Sequence, residues 1–234
     1  MSARAGGLRT VAAWSVHLLT ASSAPAGVLA VLASERGDAA TAMGWMAYTL
    51  AIDSIDGTLA RAVGVKQVLP FFDGTRLDDL VDYFTYVIVP AVFLLHLKLL
   101  PAAVAIPVAL LPVLASAYGF CWTDAKTADH YFTGFPSYWN IVAFYLYALG
   151  WPRALNAAVV IALSVAVFVP IRYVYPSRTT TLRGLTVGLG LAWGAFVLYA
   201  LAHLDTVPRP LVAASLAYPA YYVLLSLVLQ ARRS

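Results

Sequence analysis

The sequence has one cysteine, Cys121, and few charged residues of either sign. A single thiol cannot form a disulfide within the chain, and Cys121 lacks the neighbouring partners that a metal site or a nucleophile would need, so we interpret it as a packing residue. Asp, Glu, Lys and Arg make up only 11% of the residues, too few for the surface of an ordinary soluble domain. These absences argue against a disulfide-stabilised secreted protein and against a soluble enzyme.

Apolar residues make up 62% of the chain and occur in long runs. A membrane-spanning helix needs roughly 20 mostly apolar residues. Eight stretches approach that length, at about 12–33, 41–62, 76–97, 101–122, 138–150, 153–173, 184–203 and 208–230. The fifth is the shortest and weakest of them. We therefore predict an all-α polytopic membrane protein with about eight transmembrane helices, and a single domain over residues 1–234, since no repeat or linker divides the chain.

Lys and Arg residues are distributed unequally over the predicted loops. If both termini lie inside, eleven of these residues fall on the cytoplasmic face and four on the outer face. Short cytoplasmic loops collect Lys and Arg, so we predict a multi-pass protein of the bacterial inner membrane with segment 53–82 facing the cytoplasm. The net charge of +4 then reflects topology and anionic phospholipid, and we expect no nucleic-acid partner.

Four aspartates have helical spacing at the ends of the second and third predicted spans. Asp53 and Asp56 are three residues apart, and Asp78 and Asp82 are four apart, so each pair shares a helix face. Four converging carboxylates would repel one another, and Arg61 is the one basic residue among the fixed positions of the motif. Divalent cations would compensate this charge, two better than one. Oxygen ligands without His or Cys favour Mg²⁺ or Mn²⁺.

Two functions of different classes fit such carboxylates. A metal site at the mouth of a helical bundle, with Gly57 and Gly74 letting a ligand approach the backbone, suggests an enzyme acting on an anionic substrate such as a diphosphate. A cation transporter is the alternative, because intramembrane carboxylates can bind a transported ion. A transporter would place its carboxylates near the membrane midplane and often has repeated halves. Carboxylates that simply face water are the third interpretation.

The motif resembles the signature of the CDP-alcohol phosphotransferases, membrane enzymes that displace CMP from a CDP-linked donor with an alcohol. All eight signature positions are present, as Asp53-x2-Asp56-Gly57-x2-Ala60-Arg61 and then Gly74-x3-Asp78-x3-Asp82. Twelve residues separate Arg61 from Gly74, more than is usual in the family. This gap is similar to that of the bacterial, choline-using subgroup, as are the segments 15–22, 131–136 and 169–171, so the resemblance extends over most of the chain.

The resemblance implies an activity, cofactors and partners. The reaction would join choline to the phosphatidyl group of CDP-diacylglycerol, giving phosphatidylcholine and CMP, with two Mn²⁺ or Mg²⁺ ions as cofactor. It also implies a homodimer. Sister enzymes that use serine, glycerol phosphate or an inositol-type acceptor are the alternative within the family. Arg172, Arg178 and Arg183 could bind the phosphate of such an acceptor, although membrane topology explains them equally well.

The resemblance also assigns roles to signature residues by position. Asp53, Asp56 and Asp78 would hold the metal ions, and Asp82 would complete the second metal site. Asp82 is also the expected general base, since a carboxylate within hydrogen-bond reach could take the proton of the choline hydroxyl. The donor nucleotide would contact Asp53, Gly57, Ala60, Arg61 and Gly74.

Aromatic residues are concentrated between positions 118 and 139. A quaternary ammonium offers no hydrogen-bond donor, so proteins hold it against aromatic faces with a carboxylate nearby. Aromatic belts at membrane interfaces explain the same residues without a ligand. We predict that the choline site draws on Tyr118, Trp122, Asp124, Tyr131 and Trp139.

Overall fold

The computed structural model describes residues 2–122, 131–174 and 182–231, with the backbone alone for residues 2–6, 131, 132 and 174. Helices form nearly all of this part of the chain. The helices of the first half are α1 (Ser2–Glu35), α2 (Ala39–Val63), α3 (Val65–Val68), α4 (Gly74–Asp82), α5 (Val89–His96) and α6 (Ala105–Cys121). Those of the second half are α7 (Trp139–Ala148), α8 (Arg153–Ala166), α9 (Arg183–Ala202), α10 (Arg209–Ser215) and α11 (Ala217–Ala231).

Five helical segments in the described ranges are long and apolar enough to cross a membrane. They are Gly7–Glu35, Gly74–His96, Ala102–Cys121, Arg183–Ala202 and Arg209–Ala231. The prediction of an all-α polytopic membrane protein is therefore confirmed, whereas the count of eight spans stays a prediction. Helix α2 has 25 residues but does not join the five, since Asp53, Asp56 and Arg61 interrupt its apolar sequence. Helices α7 and α8 are shorter, with 10 and 14 residues.

Local capping sets the boundaries of the two helices that carry the acidic motif. The Asp38 carboxylate accepts a hydrogen bond from the Thr41 backbone N–H at 3.0 Å and starts α2. Gly64, with φ of +72°, ends α2 in the left-handed conformation. Asp73 caps α4 in the same way as Asp38, accepting from the Arg76 backbone N–H at 3.1 Å. Local caps thus fix both ends of the chain segment between the two halves of the motif, at Gly64 and at Asp73.

A π-helical segment, Tyr83–Ile88, follows α4 directly and joins it to α5. The helical hydrogen-bonding pattern therefore changes immediately after Asp82, the last residue of α4. A π-helical insertion adds a residue to the turn and rotates the side chains that follow it. This change of pattern brings Thr85, Tyr86 and Val87 into the buried interior of the bundle.

Helices α1 and α2 pack against each other along most of their length. Small residues line this contact, and Ala30, Ala33 and Ala42 are all buried. Small side chains let helix backbones approach closely, which matters in lipid because no hydrophobic force drives the helices together. Helix α1 also contacts α4 and the π-helical segment, so it supports both halves of the acidic motif.

A short antiparallel ladder is the only β-structure in the described ranges. Strand β1 (Tyr131–Thr133) pairs with β2 (Arg172–Val174), with Phe132 opposite Tyr173. The helix predicted over 153–173 accordingly ends at Ala166, so that boundary was wrong. The backbone N–H groups of Gly134 and Phe135 donate to the carbonyls of Ile171 and Ala166 at 2.9 and 3.0 Å, and these bonds join the end of β1 to the segment that follows α8.

We expect Gly134→Ala to destabilise the protein more than Gly37→Ala. Both glycines have positive φ, +82° and +75°, so both substitutions introduce backbone strain of about 1–3 kcal/mol. A Cβ at Gly134 would also overlap the Val167 carbonyl oxygen, whereas a Cβ at Gly37 would meet nothing within 4 Å. Thermal unfolding of the detergent-solubilised variants should show a clearly lower midpoint for Gly134→Ala, and equal midpoints would contradict the tight ladder corner.

Candidate active site

Three carboxylates from two helices converge at one place. Asp53 comes from α2, and Asp78 and Asp82 come from successive turns of α4. Each offers a carboxylate oxygen, and the three oxygens all lie within 4.8 Å of one another. All three residues are half-buried. The structure therefore brings together three of the four aspartates that the spacing singled out.

The fourth aspartate, Asp56, lies one turn further along α2 and does not join this cluster. Asp56 is buried, with 6% of its surface exposed. Its Oδ2 accepts a hydrogen bond from the Thr20 hydroxyl of α1 at 2.7 Å. A buried carboxylate needs such a partner, and a hydroxyl donor also fixes the rotamer of the side chain. Its predicted role as a metal ligand stays a prediction.

Asp53 is held by a phenol from the π-helical segment. The Tyr86 hydroxyl donates to Asp53 Oδ2 at 2.8 Å, and the Tyr86 ring is buried, with 4% of its surface exposed. A donor locked in the core gives the carboxylate one orientation. Asp53 is thereby held in one orientation beside Asp78 and Asp82.

The acidic cluster fits a hard divalent cation. Carboxylate oxygens are the ligands that Mg²⁺ and Mn²⁺ prefer, and the mutual spacing allows one ion to contact all three. Three like charges at this separation strongly disfavour one another in a half-buried site, so a bound cation would stabilise the arrangement. Asp53, Asp78 and Asp82 could therefore hold a metal ion.

The remaining signature residues of α2 lie toward its exposed end. The Arg61 side chain turns back along the helix, where Nη2 donates to the Thr58 hydroxyl at 3.0 Å. A Cβ at Gly57 would be 3.4 Å from Arg61 Nη1, so the guanidinium lies over the glycine. Arg61 is exposed and Ala60 is half-buried. This end of α2 therefore places the cationic side chain of Arg61 and the small residues Gly57 and Ala60 beside the carboxylates.

His17 of α1 lies against Gly74, the first residue of α4. Its ring packs against Gly74 and against Phe72, with a ring-centroid separation of 4.4 Å from the latter. His17 Nε2 is buried and has no hydrogen-bond partner among the described residues. His17 and Thr20 are three residues apart and share one face of α1. This spacing is the sequence feature that could have indicated that His17 lies on the same side of α1 as Thr20.

The residues predicted to bind choline lie in different environments. Trp139 is almost fully buried, and its Nε1 donates to the Ser116 hydroxyl at 2.9 Å. Tyr118 and Trp122 are exposed near the end of α6, at 57% and 46%. Asp124 lies outside the described residues, and of Tyr131 only the backbone pairing in β1 is described. Their role in choline binding stays a prediction.

Curated proteins similar to this chain share one name. A Legionella pneumophila protein named phosphatidylcholine synthase is 47% identical over 168 residues, 71% of this chain and 66% of the relative. Proteins of that name from Bradyrhizobium diazoefficiens and Rhizobium johnstonii are 40% and 34% identical, covering 81% and 93% of this chain and 71% and 90% of theirs. The chain spans just under two thirds of the Legionella pneumophila protein. No protein-family profile matches.

The fold and the site define a polytopic helical membrane protein whose acidic cluster could bind a metal ion. That class alone includes both enzymes and transporters. The relatives decide between its members, because the identity is above 30% and extends over most of both chains. The chain belongs to the phosphatidylcholine synthase family.

Gly74→Ala should destabilise the start of α4, whereas Gly44→Ala in α2 should not. A Cβ at Gly74 would be 2.5 Å from His17 Cε1, and a Cβ at Gly44 would meet nothing within 4 Å. Overpacking of this kind costs about 1–3 kcal/mol. Adding His17→Ala to Gly74→Ala should recover part of the lost thermal midpoint in detergent. No recovery in the double variant would contradict the contact.

Proposed function

We propose that this protein is a phosphatidylcholine synthase that transfers the phosphatidyl group of CDP-diacylglycerol to choline and releases CMP. The observation that carries the proposal is the convergence of Asp53, Asp78 and Asp82 in a chain of this family. These carboxylates would hold a divalent ion, either Mn²⁺ or Mg²⁺. The full site would contain two such ions. When bound, it would offset the negative charge of the donor diphosphate.

The reaction makes one bond to phosphorus and breaks another. The choline oxygen attacks the phosphorus that carries the diacylglycerol, and the bond from that phosphorus to the bridging oxygen breaks. CMP leaves with the electron pair. The proton of the choline hydroxyl passes to the Asp82 carboxylate, the general base in this proposal. Asp82 is the last residue of α4, where the helix gives way to the π-helical segment.

Two other groups orient the carboxylates during this reaction. Tyr86 fixes Asp53 through its hydroxyl, and Thr20 fixes Asp56 in the same way. Preorganised groups of this kind lower the barrier because they do not need to reorient as charge develops. Asp56 is the proposed ligand of a second ion.

The exposed end of α2 suits the nucleotide. Arg61 can pair with a phosphate of the donor through its guanidinium. Gly57 adds no side chain to the α2 surface beside it, and Gly74 at the start of α4 leaves room for the His17 ring. Ala60 contributes only a methyl group to this surface. Together with Asp53, these residues form the proposed nucleotide site.

A cleft between α2, α7 and α9 suits the acyl chains of the donor. It has a volume of about 400 Å³ and an almost entirely apolar lining. Leu50, Ala51 and Ser54 of α2 contribute to its wall, directly beside Asp53. A lipid in this cleft would present its head group to the acidic cluster. We place this head-group end on the cytoplasmic side of the inner membrane, where Lys66 and Arg76 are exposed.

Mn²⁺ binding tests the acidic cluster separately from turnover. Asp78→Asn should weaken Mn²⁺ binding at least about tenfold, since even residues that only support a ligand are typically worth that much. Asp79→Asn removes the same charge one residue further along and should change the affinity little, because Asp79 is outside the cluster. Electron paramagnetic resonance of free Mn²⁺ gives both constants. Equal losses in the two variants would contradict the site.

CMP release from CDP-diacylglycerol tests the reaction. With Mn²⁺ in mixed micelles, the purified protein should release CMP when choline is added, and not when serine, glycerol 3-phosphate or inositol phosphate is added. Asp82→Asn should reduce kcat on the order of 10²–10⁴-fold, the range of a general base. Asp79→Asn is the control and should stay active.

The other outcomes of this assay are equally informative. Release of CMP only with another acceptor would identify a sister enzyme of the same wider family. No CMP with any alcohol, together with Mn²⁺ uptake into proteoliposomes, would identify a cation transporter. Wild-type kcat in Asp82→Asn would remove Asp82 from the proton-transfer step.

A further inference from the structure

The apolar cleft between α2, α7 and α9 has polar side chains at the end nearest Asp53. Among the described residues that line it, the side chains with polar groups are Ser54, Asn140 and Trp193, and the Trp193 indole N–H already donates within the protein. Along α2 the lining extends from Met43 to Ser54, roughly 16 Å of helix. Ser54 follows Asp53 directly, so this end of the cleft adjoins the acidic cluster.

Asn140 of α7 lies at the same end of the cleft. Two residues before it, the Tyr138 ring centroid is 6.3 Å from that of Tyr86, and the Tyr86 hydroxyl donates to Asp53 at 2.8 Å. The π-helical segment, which carries Tyr86, also packs against α7. These contacts hold the start of α7 beside the acidic cluster, and the cleft extends from there along α7 to Phe144.

The Asn140 amide is bonded to the protein at one end only. Its Oδ1 accepts a hydrogen bond from the Ile141 backbone N–H at 2.8 Å. A backbone N–H needs an acceptor, so this bond fixes which end of the amide is the oxygen. The Nδ2 end has two N–H donors, no hydrogen-bond partner among the described residues, and is not enclosed by them. Because Asn140 is otherwise buried and lines the cleft, Nδ2 opens onto the cleft.

Ser54 differs from Asn140 because its donor is already used. The Ser54 hydroxyl donates to the Leu50 carbonyl of the same helix at 2.7 Å, so it offers a ligand only an acceptor. Asn140 Nδ2 is therefore the donor that this end of the cleft presents to a ligand. A donor beside an apolar cavity favours a ligand that combines an apolar chain with an acceptor group.

An ester carbonyl matches this donor, because its oxygen accepts hydrogen bonds and has no proton to give. In a lipid with its phosphate at the acidic cluster and one chain in the cleft, the glycerol unit lies between the two. The ester that joins this chain to glycerol then lies at the end of the cleft beside Nδ2. A chain joined by an ether offers no carbonyl, so the amide would lose its water and gain no partner.

We infer that Asn140 Nδ2 donates a hydrogen bond to the ester carbonyl of the acyl chain in the cleft. This contact makes the protein select ester-linked over ether-linked lipid donors. The inference rests on the proposed function, which supplies CDP-diacylglycerol as the donor. The contact also sets how far the chain enters the cleft, and so positions the phosphorus at the acidic cluster.

Two donors that differ only in their chain linkage test this contact. With choline and Mn²⁺ in mixed micelles, the wild type should have a KM for CDP-dioleoylglycerol about fivefold lower than for CDP-dioleylglycerol, its ether-linked analogue. Asn140→Ala and Asn140→Asp both remove the amide donor, so each should give the two lipids equal KM values. Equal KM values in the wild type would overturn the inference.

The same two variants separate ligand binding from a structural role of Asn140. Asn140→Asp keeps an oxygen for the Ile141 N–H and places a carboxylate in the first turn of α7, so the thermal midpoint should stay the same or rise. Asn140→Ala leaves that N–H without its acceptor, so the midpoint should fall. The preference for the ester should be lost in both. A preference lost in Asn140→Ala and kept in Asn140→Asp would refute the contact.

Ser54→Ala is the matched control at the same end of the cleft. It removes a hydroxyl that donates only to its own helix, so the wild-type preference for the ester-linked donor should remain. Loss of the preference in Ser54→Ala to the same extent as in Asn140→Asp would show that the cleft discriminates without the amide, and would overturn the inference.

A binding measurement without choline separates this inference from the proposed function. Calorimetric titration of the purified protein with each of the two lipids gives a ratio of Kd values and requires no turnover. A fivefold ratio that disappears in Asn140→Asp supports the contact even if choline yields no CMP. CMP release with choline, together with equal Kd values for the two lipids in the wild type, would retain the proposed function and refute the contact. Binding of neither lipid would overturn both.

Discussion

The mutual repulsion of Asp53, Asp78 and Asp82 is the constraint on which the rest of the site depends. Their oxygens lie within 4.8 Å of one another in a half-buried position. A bound cation would offset this charge, and the Tyr86 hydroxyl holds Asp53 in one orientation. The caps at Asp38 and Asp73, the turn at Gly64 and the long contact between α1 and α2 together fix the two helix ends that carry the cluster.

The supporting groups come from elements outside the acidic motif. Thr20 of α1 donates to Asp56, and Tyr86 of the π-helical segment donates to Asp53. The change to π-helical hydrogen bonding just after Asp82 places Tyr86 in the interior, where its hydroxyl can reach Asp53. In a regular α-helix the residues after Asp82 would face other directions, so this local irregularity is part of the construction of the site.

The sequence predicted much of the architecture and the centre of the site. Long apolar runs predicted a helical membrane protein, and the three- and four-residue spacing of the aspartates predicted two acidic helix faces that meet. The prediction of a helix through residue 173 was wrong, because the chain leaves α8 after Ala166 and forms ladder hydrogen bonds with β1 instead. Those bonds join residues distant in sequence, and apolar periodicity contains no signal for them.

The sequence by itself determined the class of protein, the acidic helix faces and the family, because each depends on composition or on spacing within one segment. Tertiary structure alone decided which carboxylates meet and which groups orient them. Thr20 is 36 residues from Asp56 along the chain, and Tyr86 is 33 residues from Asp53. Only the packing of α1 and the π-helical segment against α2 brings these groups together, since long-range contacts depend on how helices assemble and not on local pattern.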